Sequence, residues 1–143
     1  MISIPNFALF RLDAVATMRA WFATVSPLIQ RLPKGRGGLG DQASRSALSA
    51  YLNLVEGAAM PPGDGRKASQ FAVAMGSLSE AVACIDAAML LGLIAEEQGA
   101  EVQRMAEAAA RLLGGLLRSV RPHSNRSSRS SRASTSSHRA SST

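Results

Sequence analysis

The sequence predicts an all-α fold: an antiparallel, up-down four-helix bundle over residues 1–120 with a disordered tail over 121–143. Three observations lead there. Four segments carry apolar residues at spacings of three and four, the stripe of an amphipathic helix. The gaps between them are punctuated by Gly or Pro, which end helices and allow antiparallel neighbours. The chain is 46% hydrophobic but only 4% aromatic, so its core must be built from small and aliphatic side chains. That favours closely packed helices over strands, which prefer β-branched and aromatic residues.

The first helix is expected over about residues 13–30, with Leu12, Val15, Met18, Phe22, Val25 and Ile29 as its stripe; Pro33 and the glycines that follow end it. Asp41 is the expected N-cap of the second, whose apolar positions are Ala47, Leu48, Tyr51, Leu52, Leu54 and Val55 and whose stop is Gly57. Pro61-Pro62-Gly63-Asp64-Gly65 is a loop. The third helix is expected over about 66–91, with Phe71, Met75, Leu78, Val82, Ile85 and Met89 on one stripe and Gly92 at C′. The fourth begins near Glu96, with Val102, Met105, Ala109, Leu112 and Leu116 in a 3-4 pattern and a second apolar row of Leu113, Leu117 and Val120. That width exceeds one intramolecular seam and points to self-association. Gly76, inside the third helix, costs ~1 kcal/mol relative to Ala and marks a close helix crossing, either within one bundle or between subunits.

Charge divides the chain in two. The formal net charge is +6, yet residues 1–120 hold eleven basic against ten acidic residues, whereas 121–143 hold five arginines and no acid. The tail, a run of Arg and Ser with no apolar side chain larger than Ala, cannot offset its ordering entropy and is expected to be disordered. Its arginines, Arg121, Arg126 and Arg129 among them, suit phosphates, but with no aromatic to stack on bases their sequence preference would be poor. A solubilising extension is the other reading. In the body, Lys34, Arg36, Arg45, Arg66 and Lys67 are the candidate basic patch for a nucleic acid or another partner, although each also reads as an ordinary solvated side chain.

Other constellations point away from catalysis. Gly35-Arg36-Gly37-Gly38-Leu39-Gly40 has the glycine spacing of a dinucleotide loop, but a helix and Pro33 precede it where a strand is required. Both histidines, His123 and His138, fall in the tail, and no metal-ligand spacing or phosphate loop is present. The single cysteine, Cys84, reads as a small packing residue and is compatible with a reducing compartment. No uncharged run approaches the ~20 apolar residues of a membrane span, and the N-terminus lacks the basic start of a signal peptide. A cytoplasmic protein without membrane association, cofactor, metal or catalytic site is the expectation. Asn53, Glu56 and Gly57 form a polar group at the end of the second helix. There Glu56 is expected to meet Arg66, Lys67 or free N–H groups and so fix the corner to the third helix.

Two runs also resemble a known family. Gln42-Ala43-Ser44-Arg45-Ser46-Ala47-Leu48-Ser49 followed by Asn53-Leu54-Val55-Glu56-Gly57 is similar to its second-helix motif, Gln-x-x-Arg then Asn-x-x-Glu-Gly. Phe71 with Ala74-Met75-Gly76-Ser77-Leu78-Ser79-Glu80 and Leu91-Gly92-Leu93-Ile94 is similar to its third helix and exit turn. The family is that of bacterial four-helix-bundle proteins, including those encoded in intervening sequences of large-subunit ribosomal RNA genes and the accessory variability proteins of diversity-generating retroelements. The resemblance spans roughly residues 15–120. It implies a homopentamer of bundles and, for the retroelement members, a basic surface that engages RNA or DNA and a reverse transcriptase. Ser44 and Tyr51 stand where members have a second basic residue and, often, a proline.

Overall fold

The computed structural model describes residues 2, 3, 5 and 7–120, and all of its described regular structure is helical. A short 3-10 turn, Ala8–Arg11, leads into α1 (Asp13–Gln30), α2 (Leu39–Ala59), α3 (Gly65–Leu90) and α4 (Glu96–Val120). Each helix packs on its chain neighbours and α1 closes on α4, which is an up-down-up-down bundle. The expected tail, with Arg121, Arg126 and Arg129, lies outside the described residues.

Local chemistry sets the helix ends. The α3 N-cap is Asp64, whose side chain accepts from the Arg66 N–H, and α3 ends as expected at Gly92. Gly92 has φ +70°, Leu93 N–H reaches the Ala88 carbonyl at 2.8 Å, and Gly92 N–H reaches Met89 at 2.9 Å. These are the paired bonds of a left-handed Schellman stop. The α2 start departs from expectation: Gly38, with φ +75°, occupies the cap position and Asp41 lies inside the first turn. Its negative charge still suits that end of the helix dipole.

The core corrects the sequence reading in three helices. In α1 the buried set is Ala14, Val15, Met18, Trp21, Val25, Leu28 and Ile29. Trp21 therefore holds the central position assigned to Phe22, and Leu12 is exposed. In α2 the inward face is Ala43, Ser46, Ala47, Ala50, Leu54 and Gly57, while Leu48 and Leu52 face out at 46% and 52% exposure. In α4 the buried line runs through Gly99, Val102, Ala106, Ala109 and Leu113, and Leu112 sits at its exposed rim. Most of the wide apolar surface of α4 is thus absorbed by α1 and α3, and the unmet apolar surface lies on α2 and α3 instead.

Gly57 does not stop α2. It is buried within the helix, and a Cβ there would lie 2.7 Å from Cε1 of Phe71 and 3.2 Å from Cβ of Gln70. Glycine is needed because α3 approaches too closely for any side chain. Gly76 shows the opposite: it is exposed, and no described atom beyond its own helix backbone lies within 4 Å of a Cβ built on it. It marks no crossing inside the chain.

Candidate functional site

The sequence grouped its basic candidates into one patch, but the fold separates them. Lys34 and Arg36 sit on the α1–α2 loop and Arg45 two turns into α2. Arg66 and Lys67 start α3, at the far end of the bundle. The helix from Arg45 to Ala59 alone spans ~21 Å at ~1.5 Å per residue. No single patch gathers all five.

Each end has its own character. At the glycine-rich end, Gly35, Arg36, Gly37 and Gly38 all have positive φ, of 99°, 50°, 66° and 75°. The loop curls over a cavity of about 510 Å³ lined by Gln30, Lys34, Asp41 and Ser44 over an apolar base of Ile29 and Leu32. Lys34 and Arg36 are exposed there. The mix of one lysine and one aspartate makes this cavity polar without a strong sign.

At the α2–α3 corner the cations are engaged. Arg66 bonds Asp64 at 2.8 Å, and the guanidinium and backbone N–H together hold that carboxyl down to about 2. Lys67 donates to the Met60 carbonyl at 2.8 Å, with its ammonium 5.7 Å from the centre of the Phe71 ring. These contacts fasten the loop to both helices, so Arg66 and Lys67 brace the corner. Asn53 contributes from one turn further in: its amide donates to the Ser49 carbonyl and hydroxyl, and the Ser49 and Ser77 hydroxyls share a 2.8 Å bond that ties α2 to α3. Glu56 does not take the role expected of it. It is exposed, with no hydrogen bond or ion pair among the described residues, and it reaches Arg66 only through its field.

Between α3 and α4 runs a groove of about 430 Å³ whose walls are Leu78, Val82, Ala106 and Ala110. Gln103 bridges it, donating from Nε2 to the Val82 carbonyl at 3.1 Å, while its Oε1 is buried without a donor. Trp21 Nε1 is also buried without an acceptor. Sequence spacing gave no sign of either atom, since both depend on which neighbour the helix meets. Cys84 is buried, and burial with the field of Glu80 pushes its thiol up. Among the described residues no group of three or more His, Cys, Asp or Glu is arranged to hold a metal ion.

One helix, α3, is long and apolar enough to cross a membrane by length and composition, with a mean hydropathy of 1.5 in its best window. Only 33% of that window is buried inside the chain. In this fold α3 packs on α2 and α4. Its outward face presents Ala72, Val73, Gly76, Ala83 and Leu90, with two charges among them, Glu80 and Asp86.

Fold and surface together define a small helical-bundle protein with closely paired central helices and apolar side chains exposed on α2 and α3. Residues 11–115 match the model of the 23S rRNA-intervening sequence protein family, and the chain belongs to that family. No match was found among curated proteins.

Proposed function

We propose that the protein is a non-enzymatic, self-assembling interaction module, a homopentamer of four-helix bundles that docks a partner. The observation that carries this reading is the outward face of α3. An apolar surface of that extent is costly to leave in water and is characteristic of an interaction site. Gly76 fits the same reading: its cost within the helix has no return inside the chain, but a neighbouring subunit can approach closely there. The number five comes from the family resemblance, as does an accessory role beside a reverse transcriptase.

A second reading, RNA or DNA binding, is favoured by Lys34 and Arg36. They stand exposed on a glycine-rich loop at one end of the bundle, with Arg45 on the adjoining face of α2. The arginines of the tail, including Arg121, Arg126 and Arg129, would add phosphate contacts that weaken steeply with salt.

One experiment addresses both readings: the mass of the full chain by light scattering, alone and with RNA, at low and high salt. Wild type is expected to be a multimer, and Ala83→Glu, which sets a charge on the α3 face, is expected to dissociate it. An RNA complex lost at high salt supports the second reading. A wild-type monomer would end the assembly reading.

A further inference from the structure

The outward face of α2 carries a second seam. Asp41, Arg45, Leu48, Leu52, Val55 and Ala59 recur at spacings of 4-3-4-3-4, the repeat that keeps one face of a helix against a partner helix. This face is separate from the inward one of Ala43, Ala47, Ala50 and Leu54. Leu48 and Leu52 are about half exposed, Val55 is partly covered, and Arg45 and Glu56 are exposed. Neither Arg45 nor Glu56 has an ion pair or hydrogen bond among the described residues. Glu80 is roughly level with Arg45 in the register set by Ser49 and Ser77, yet the two form no ion pair. Arg66, which feels the field of Glu56, is committed to Asp64.

We infer that this seam pairs with the same seam of a second copy, antiparallel about a two-fold axis near Ala50. In that register Leu48 of one copy meets Leu52 of the other, twice, because an isologous contact repeats every pairing. Arg45 then lies over the partner copy's Val55, with its guanidinium within reach of that copy's Glu56. A charge one turn beyond each end of the leucine pair therefore meets its opposite. A parallel pairing would set Arg45 on Arg45 and Glu56 on Glu56, so charge selects the antiparallel arrangement. Charge complementarity also accounts for an acid near the C-terminal end of α2, where the helix dipole disfavours it. Arg45 and Glu56 are ~17 Å apart along the helix at ~1.5 Å per residue. The contact is short, and the pair forms and separates with concentration.

This contact is independent of the assembly placed on α3, and the test separates the two. Sedimentation of the full chain over a concentration series is compared for wild type, Arg45→Glu, Glu56→Arg, the double exchange and Ala83→Glu. Each single reversal is expected to weaken the α2 contact by about tenfold or more, with the double exchange recovering most of that loss. Ala83→Glu is expected to leave a dimer. Two results overturn the inference: a double exchange no better than the single reversals, or an Ala83→Glu protein that is monomeric at every concentration. An even-numbered assembly that responds to the α2 reversals and ignores Ala83→Glu would instead remove the α3 reading and keep this one.

Discussion

The two interfaces of α3 are built on opposite principles. Toward α2 it meets small residues, Gly57 against Phe71 and Ser49 against Ser77, so the backbones come close and the pair forms the most extensive contact in the bundle. Toward α4 it presents Met75 and Met89, longer side chains that lie against Gly114 and Gly99, and between them a groove walled by Val82 and bridged by an incompletely satisfied amide. Small residues give a rigid contact with no room for change, and long flexible ones give a contact that tolerates it. Gly57 and Gly99 make the contrast directly testable, since both are buried and both face α3. A Cβ on Gly57 runs into the ring of Phe71, itself 1% exposed and boxed in, whereas one on Gly99 meets the side chain of Met89. Methionine can choose another rotamer, and a buried phenyl ring cannot. Gly57→Ala should destabilise by about 1–3 kcal/mol through overpacking, less the ~0.5–1 kcal/mol gained by replacing a helical glycine. Gly99→Ala should be near neutral. Thermal or urea unfolding measures both, and equal losses would break the comparison.

The same contrast explains what the sequence concealed. The limits of α1, the loop over residues 61–65 and the stop at Gly92 were all legible, because they depend on residues within one turn. The inward face of α2 was not. Periodicity followed the bulky residues Leu48 and Leu52, but the core side is a line of alanines, and alanine leaves little signal in a hydrophobicity pattern. Gly57 was read as a stop because a terminator and a site of close approach look alike until Phe71 is known to lie opposite. The candidate basic site failed for a different reason: Arg45 and Arg66 are separated along a straight helix, and Arg66 is claimed by an acid two residues away. Asn53 holds a structural bond to Ser49, Gly57 is structural by close approach and not as a stop, and Glu56 does not take the part expected of it.

Gln103 tests the looser side. Its Nε2 bond to the Val82 carbonyl contributes about 1 kcal/mol, while its buried Oε1 without a donor costs about 1–3 kcal/mol. The Val82 carbonyl lies within the α3 helix and keeps its own ladder partner when the amide is removed. Gln103→Met fills the same volume without a polar atom, and is expected to be neutral or to stabilise by about 1 kcal/mol. A loss above about 1.5 kcal/mol in urea unfolding would mean that the amide bridge holds α3 to α4, and the groove would no longer count as the tolerant interface.

The smallest effect expected is at the two corners that bound α3. The entry corner depends on a charge, Asp64, while the exit corner at Gly92 depends only on backbone bonds. Asp64 is held at about 2, against 3.8 for a free aspartate, first by the Arg66 side chain and then by the Arg66 N–H. A folded value below the unfolded one means that the ionised form favours the fold. The contribution is fully present above the unfolded value and is lost as pH falls through the folded one. Between about pH 4 and pH 2 the entry corner should therefore loosen while the exit corner does not. Amide hydrogen exchange, corrected for its intrinsic pH dependence, is expected to show protection at Arg66 and Lys67 falling across that window, with Leu93 unchanged. Asp64→Asn keeps a capping side chain but has nothing to titrate, and should flatten the response. If Arg66 and Leu93 lose protection together, acid is unfolding the bundle as a whole, and the corner contributes no separate step.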